Sequence, residues 1–501
     1  MTAPDTAVLP VAGNPRERHQ AEPPADTAAA PSAATAPYDF DLVVIGSGPG
    51  GQRAAVQAAK LGKRVAVVER KAVVGGVCIN TGTIPSKTLR EAALHLSGYR
   101  ERSVYGASYA VKDRITMDDL LFRTDQVIER EIEVVRHQMK RNGVELLSAT
   151  ASFADPHTLR LDYHEGRGQR TITAAFIIIA VGTRPSSHAI YECDGVQVCD
   201  SDQILRLPTL PRSIAVVGGG VIGCEYATIF SALGARVTLI DRRDRLLPFI
   251  DHEIIDTLVY VLRKNRMTLR LGEDVERLER HAGRDSKAVS VHLKSGKQVA
   301  VDVVLCCIGR DGATDELNLP AAGLQADDRG YLQVDGHYRT STASVFAVGD
   351  VVGFPSLAST SMEQGRLAAC AAFGLETQST PDLFPYGIYT IPEISVVGRT
   401  EQELTADSVP YDVGRASYDE IARGQISGGA FGVLKILFHA ETRHVLGVSI
   451  VGEGATELIH IGQAVMALGG TLDYFVNSVF NYPTLAECYK TAAFDGINRL
   501  A

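Results

Sequence analysis

The sequence predicts an α/β chain: two doubly wound, mostly parallel units in tandem, followed by an α+β domain. Three observations predict it. An apolar run, a Gly-x-Gly-x-x-Gly turn, a small-residue stretch and a second apolar run ending in an acid occupy residues 42–69. The same block recurs at residues 213–241. Beyond Leu383 the pattern changes to paired apolar runs joined by a polar turn. Strands buried on both faces of a parallel sheet read as such continuous apolar runs.

The first block opens with Leu42-Val43-Val44-Ile45 and turns through Gly46-Ser47-Gly48-Pro49-Gly50-Gly51. A helix is expected from Ala54 to Leu61, then a strand from Arg64 to Glu69. Gly46, Gly48 and Gly51 let the backbone approach a pyrophosphate, whose charge meets the helix N-terminus. Glu69 stands at the spacing of a carboxylate on a ribose hydroxyl pair. Arg70, Gly75, Gly76, Cys78 and Gly182 complete the candidate cofactor contacts of this unit. A mixed polar and apolar helical region follows from Arg90 to about Gly143, with amphipathic spacing from Ile115 to Arg141. A strand at Phe176–Ala180 then closes the unit at a Gly turn.

The second block repeats the first. Ser213–Val217 reads as a strand, Gly218, Gly220 and Gly223 form the turn, Glu225–Leu233 a helix, and Arg236–Asp241 a strand ending in an acid. Two such units hold two dinucleotides at once. Asp241 suits the free 2′-hydroxyl of NAD. Arg242, Arg243 and Arg245 follow it and have two readings: partners for the 2′-phosphate of NADP, or surface salt bridges to Asp244 or Asp251. Dual use of NAD and NADP is the expectation. Cys306-Cys307-Ile308-Gly309-Arg310 ends the unit, its cysteines read as buried strand residues and Gly309 as a further nucleotide contact.

The bulk numbers bound the rest. A chain of 501 residues should form about three or four domains. A net charge of −9 argues against a general nucleic-acid or anionic-membrane surface. No run of eighteen apolar residues occurs, so no membrane span is expected. Eight cysteines are sparse, none lies in a CxxC pattern, and no metal site or disulfide framework is expected. This usage fits a cytoplasmic enzyme. Residues 1–37, rich in Ala, Pro and Thr with interspersed acids, read as a disordered extension rather than a signal or transit peptide.

From Tyr38 to the C-terminus these motifs resemble the pyridine nucleotide-disulfide oxidoreductases, the family of lipoamide dehydrogenase and glutathione reductase. The resemblance implies two Rossmann-like dinucleotide-binding domains and a C-terminal dimerisation domain. FAD would bind residues 38–190 and 311–380, NAD or NADP residues 191–310, and residues 381–501 would build a homodimer or higher homo-oligomer. Thr340 and Asp350, in the run ending Val348-Gly349-Asp350, match the motif that places an acid at the ribityl chain. Family members carry two cysteines beneath the flavin and a His-Pro-Thr-x-x-Glu segment. Here those positions read Cys78 with Thr83, and Tyr482-Pro483-Thr484-Leu485-Ala486-Glu487. A threonine forms no disulfide, so the dithiol relay and its histidine are both missing.

One branch, the soluble NAD(P)+ transhydrogenases, is similar in detail. The likeness includes Thr83-Ile84-Pro85-Ser86-Lys87, Gly223-Cys224-Glu225-Tyr226-Ala227, Tyr386–Ser395 and Phe480–Thr484. It implies ping-pong hydride transfer between NADPH and NAD+ through FAD, with NADH and NADP+ in the reverse sense and no redox-active disulfide. Lys87 would lie at flavin N5, paired with Glu225 beside the nicotinamide. Cys78 has two readings, a packing residue against the flavin or a lone redox thiol. Two other functions share the scaffold: a flavin-dependent NAD(P)H:quinone or dye reductase, and a dimeric subunit docked into a larger complex through the N-terminal extension.

Overall fold

A computed structural model describes residues 37–164, 168–281, 289–377, 383–428 and 431–500. The extension expected over residues 1–37 lies, up to residue 36, outside the described residues.

The first unit is a five-stranded parallel sheet. Its spatial order is Glu145–Asp155, Val65–Glu69, Phe40–Ile45, Gln169–Ile179 and Val345–Ala347. Two strands outrun the sheet. Glu145–Asp155 and Gln169–Ile179 are each 11 residues long, and with Thr158–Tyr163 they continue as an antiparallel meander. The second unit has the same plan. Thr268–Leu271, Arg236–Asp241, Ser213–Val217, Val303–Cys306 and Val198–Asp200 lie side by side, all parallel. Its meander is Val275–Arg280, Val289–Leu293 and Gln298–Val301. The chain leaves the first sheet, builds the second, and returns to add Val345–Ala347 to the first. A short antiparallel ribbon, Thr183–Pro185 on Arg310–Gly312, marks exit and return.

Helices form where the sequence supplies start and stop signals. Pro49–Lys60 begins with proline in its first turn, five residues earlier than its apolar pattern suggests. The long helix Met117–Arg141 is opened by a capping box between Thr116 and Asp119. The helical region expected from Arg90 is divided. Thr83–Ser97 stops at Gly98, whose φ of 65° is the left-handed conformation that ends helices, and short turns fill the interval to Thr116. Pro49–Lys60 packs tightly on Ala358–Ala372, since a Cβ on Gly365 would lie 2.0 Å from the Gly50 carbonyl oxygen.

The C-terminal sheet is wholly antiparallel, in the order Tyr386–Ile388, Ile394–Gly398, Val445–Val451, Val433–His439, Tyr411–Ser417. The helices Ala455–Ala467 and Glu487–Leu500 cover it. The two long strands match the expected runs. The three flanking strands and the last helix have no matching expectation. Among the described residues no helix is long and apolar enough to cross a membrane.

Candidate active site

The two glycine turns are built alike. Gly46 and Gly218 have φ of 105° and 108°, and a Cβ on either would lie within 2.4 Å of a neighbouring carbonyl oxygen, of Ala180 or Cys307. A Cβ on Gly51 would lie 2.0 Å from the Gly46 oxygen, and one on Gly223 1.8 Å from the Gly218 oxygen. Gly48 and Gly220 meet nothing within 4 Å. The first and last glycines of each motif therefore shape the turn, while the middle one leaves an open face. Gly75 and Gly76 continue the first turn: Gly75 N donates to Ser47 Oγ at 2.9 Å, and a Cβ on Gly76 would crowd Gly48.

The two strand-end acids diverge. Glu69 borders the first cavity and accepts from Ser47 N at 3.0 Å and from Lys71 N at 2.9 Å. Asp241 is buried. Arg243 grips it through Nε at 2.9 Å and Nη2 at 2.7 Å, and the Gly219 backbone N–H donates to it as well. Burial raises the Asp241 carboxyl, but the Arg243 and backbone hydrogen bonds outweigh it and hold the group below its ordinary value. The arginines do not form the expected pairs with Asp244 or Asp251. Arg243 pairs with Asp241, Arg245 with Asp256 at 2.7 Å, and Asp251 is taken by Lys435. Arg242 makes no ion pair among the described residues. Arg70 turns to Glu316, at 2.9 Å, on the rim of the first cavity.

Two cavities meet at one wall. The first is lined by Gly46, Gly48, Glu69, Cys78, Gly182 and Asp350. The second is lined by Lys87, Gly220, Glu225, Cys307, Gly309 and Tyr389. Val77, Thr83, Asp202 and Asp350 border both. The Thr83–Ser97 helix carries Lys87 one turn beyond Thr83, and its Nζ meets Glu225 Oε2 at 2.6 Å. Glu225 comes from the first helix of the second unit, so the ion pair joins the two units. Its other oxygen accepts from Tyr389 N at 2.9 Å, and the Tyr389 ring lies 4.9 Å from the ammonium. Burial pushes the Cys78 thiol up, and the hydrogen bond from Thr83 only partly offsets it. All eight cysteines are free.

Asp350 is pushed up by burial, against the nearby Arg310 charge and hydrogen bonds from Thr183 and Ser361. Arg310 clamps the ribbon between the units, donating to Thr183 Oγ1 and Thr183 O, both at 2.9 Å. Arg310, Thr183, Ser361, Asp202 and Tyr389 were not found from sequence. The signals were Arg310 directly after Gly309, Thr183 directly after Gly182, and Tyr389 inside the Tyr386–Ser395 segment. Thr340 lines neither of the two cavities; its hydroxyl closes the turn that follows it, donating to Val345 O at 2.7 Å. Cys306 ends a buried strand as expected, whereas Cys307 lies beyond it; both line the second cavity. The buried hydroxyls of Thr81 and Tyr226 border that cavity and lack hydrogen-bond partners among the described residues. Such groups are rare in folded chains and mark a place where a ligand or water completes the bonding.

Two open glycine turns, each lining one of two adjoining cavities, and an ion pair joining their units define a two-nucleotide oxidoreductase. The chain belongs to the pyridine nucleotide-disulphide oxidoreductase family, whose model matches residues 40–365, with the family's dimerisation domain matching residues 384–493. It is 53% identical over 462 residues to a soluble pyridine nucleotide transhydrogenase of Mycobacterium bovis, covering 92% of this chain and 98% of that protein. A protein of the same name from Colwellia psychrerythraea is 46% identical, over 92% and 99% of the two chains. Among solved structures, the HOCl-induced flavoprotein disulfide reductase RclA from Escherichia coli superposes with a TM-score of 0.80 at 29% identity, over 91% and 99% of the two chains. LpdA from Mycobacterium tuberculosis gives 0.83 at 25%, over 92% and 99%.

Proposed function

We propose that this chain is an FAD-dependent transhydrogenase that moves hydride between NADPH and NAD+ without a redox-active disulfide. The observation that carries the reading is the wall shared by the two cavities: Thr83 borders both and meets Cys78 in place of a second thiol, and one helical turn further on Lys87 lines the second cavity and pairs with Glu225. The names of relatives at 46–53% identity support it.

The residues of the first cavity fit FAD: an open turn at Gly48, a carboxylate at Glu69, and a buried acid at Asp350 bonded to hydroxyls. Bound there, FAD supplies a two-electron acceptor that takes hydride from one nicotinamide nucleotide and yields it to another. Gly46, Gly48 and Gly51, with the helix starting at Pro49, present backbone N–H groups and a positive helix end to the pyrophosphate. Asp350 accepts hydrogen bonds from a polyol chain. Lys87 places a fixed positive charge in the second cavity, one helical turn from the shared wall at Thr83, where Glu225 and the Tyr389 ring hold it in one orientation. A charge positioned in advance costs no reorganisation when negative charge develops beside it.

The second unit takes the nicotinamide nucleotide through Gly218, Gly220 and Gly223, with Gly309 at the rim. One nucleotide cavity means that one nucleotide leaves before the next enters, which is ping-pong turnover. Arg243 neutralises Asp241, removing the repulsion that a bare carboxylate exerts on a 2′-phosphate, so NAD and NADP are both admitted. The chain acts as a homodimer through its C-terminal domain. Val479, Leu468 and Tyr482 there are 95%, 87% and 75% exposed, an apolar surface suited to burial against a second copy.

The test is an anaerobic assay of FAD-loaded protein with NADPH and thio-NAD+, beside wells containing lipoamide, glutathione disulfide or a quinone. Rapid thio-NADH formation with inert disulfides is expected. Little thio-NADH, with NADPH consumed only when quinone is present, would replace this reading by a quinone reductase.

A further inference from the structure

A third cavity lies towards the C-terminal end of the Lys87 helix, where the two units and the C-terminal domain meet. It measures about 860 Å³, within the range of roughly 300–1,000 Å³ typical of small-molecule sites. Six cations line it: Arg90, Arg100, Arg102, Arg236, Lys264 and Arg266. The one carboxylate on the lining is Glu453. In a chain of net charge −9 this is a local reversal of sign.

Pairing divides the six. Arg90 is buried and held by Glu91 at 2.7 Å and Glu393 at 3.2 Å. Arg100 reaches Glu91 at 3.3 Å and Glu453 at 3.4 Å. The other four have no carboxylate partner among the described residues. Arg102 is fixed by backbone carbonyls, donating to Ser97 O at 2.9 Å, and Lys264 stands 3.8 Å over the Phe431 ring. Arg236 and Arg266 extend from the second unit on the same rim.

Helix ends explain part of the cluster. Three helices, ending at Ser97, Ala232 and Lys264, run out near this cleft. Each contributes about −0.5 charge at its C-terminus, roughly −1.5 together, against four unpaired cations. The surplus remains in a concave site whose low-dielectric walls focus its field. The cations also come from separate elements. Arg102 follows the first unit's Lys87 helix, Arg236 opens a strand of the second unit, and Lys264 and Arg266 flank the end of another helix. Asn265 between them donates to Tyr99 OH at 2.6 Å, fixing the second unit's wall against the first.

We propose that this cleft binds a phosphate-chain anion, such as a nucleoside triphosphate or an inorganic polyphosphate. Arginine forks match phosphate oxygens in pairs, and a lysine supplies a mobile point charge. Several phosphates in sequence use cations spread over three elements, which a single carboxylate cannot. The site is distinct from both glycine turns and shares no lining residue with either active-site cavity.

The test is isothermal titration of the FAD-loaded protein with inorganic tripolyphosphate and with ATP, at low salt and saturating NADP+ to fill the nucleotide cavity. Saturable binding at micromolar concentration is expected. The double charge reversal Lys264→Glu/Arg266→Glu should weaken it at least 30-fold, and Arg236→Glu alone at least fivefold. The matched reversal Lys140→Glu/Arg141→Glu, on a remote exposed helix end, should leave it unchanged. Flavin content reports folding of each variant. ATP binding tenfold tighter than tripolyphosphate assigns the site to a nucleotide; equal affinity assigns it to the phosphate chain alone. Absence of binding up to 1 mM, about 1,000-fold above the micromolar scale expected, or equal affinity in wild type, Arg236→Glu and Lys264→Glu/Arg266→Glu, would overturn the proposal.

Discussion

Lys87 and Glu225 lie 138 positions apart and meet at 2.6 Å. Replacing Lys87 by Met removes the charge in the second cavity, one helical turn from the wall it shares with the first. The rate of flavin reduction by NADPH in stopped flow should fall about 100-fold, close to 2.7 kcal/mol of barrier. The nucleotide Kd should change less than threefold. The same substitution leaves the buried Glu225 carboxylate with only the Tyr389 N–H, so it should also lower Tm. Adding Glu225→Gln should restore Tm but not the rate. Both residues were legible in short motifs near a glycine turn. Tyr389 and Arg310 lie in segments the sequence singles out, but they carried no site role, because what each touches is set by distant parts of the chain. Asp241 was legible as a strand-end acid, but its capture by Arg243 depends on a local turn that residue order leaves open. Arg243→Ala would free that carboxylate. KM for NADPH should rise about tenfold, near 1.4 kcal/mol, and KM for NADH much less.

At the scale of elements, each strand–turn–helix block works through one close approach. Gly51→Ala would set a methyl 2.0 Å from the Gly46 oxygen, and Gly223→Ala one 1.8 Å from the Gly218 oxygen. The expected results separate the two cavities. Gly51→Ala should purify with most of its flavin lost. Gly223→Ala should keep flavin, and the yellow protein should no longer be bleached by NADPH. Absorbance spectra before and after anaerobic NADPH read both. These blocks were legible because a glycine spacing and a buried strand are local signals. The meanders were not, since their strands pair with neighbours set by the whole sheet, and those of the second are short or polar. The break at Gly98 was hidden by apolar residues on both sides of it.

At the scale of the molecule, one buried lysine ties the C-terminal sheet to the second unit. Lys435 is fully buried on its strand and contacts Asp251 at 2.9 Å, Glu253 at 3.0 Å and Glu401. The three acids are close enough to suggest a metal site, but the ammonium already fills the space between them. Burial alone would lower the Lys435 ammonium; the hydrogen bonds to Glu401 and Asp251 outweigh it and raise the group above 10.5. A raised lysine contributes stability in full below its unfolded value and loses it as pH climbs through the folded one. Lys435→Met should therefore cost about 3–5 kcal/mol at pH 7 by stranding Asp251. Thermal melts should show wild type losing its advantage over Lys435→Met only above about pH 10.5. Nothing in the sequence marked Lys435, since a lysine inside an apolar strand pattern reads as an outward-facing residue.

The central claim is hydride transfer without thiol chemistry, and Cys78→Ser tests it most directly. Steady-state transhydrogenation from NADPH to thio-NAD+ should proceed with kcat within twofold of wild type. It should give parallel double-reciprocal lines in both proteins. A loss of 100-fold or more, with flavin content intact, would contradict the account and return Cys78 to the chemistry.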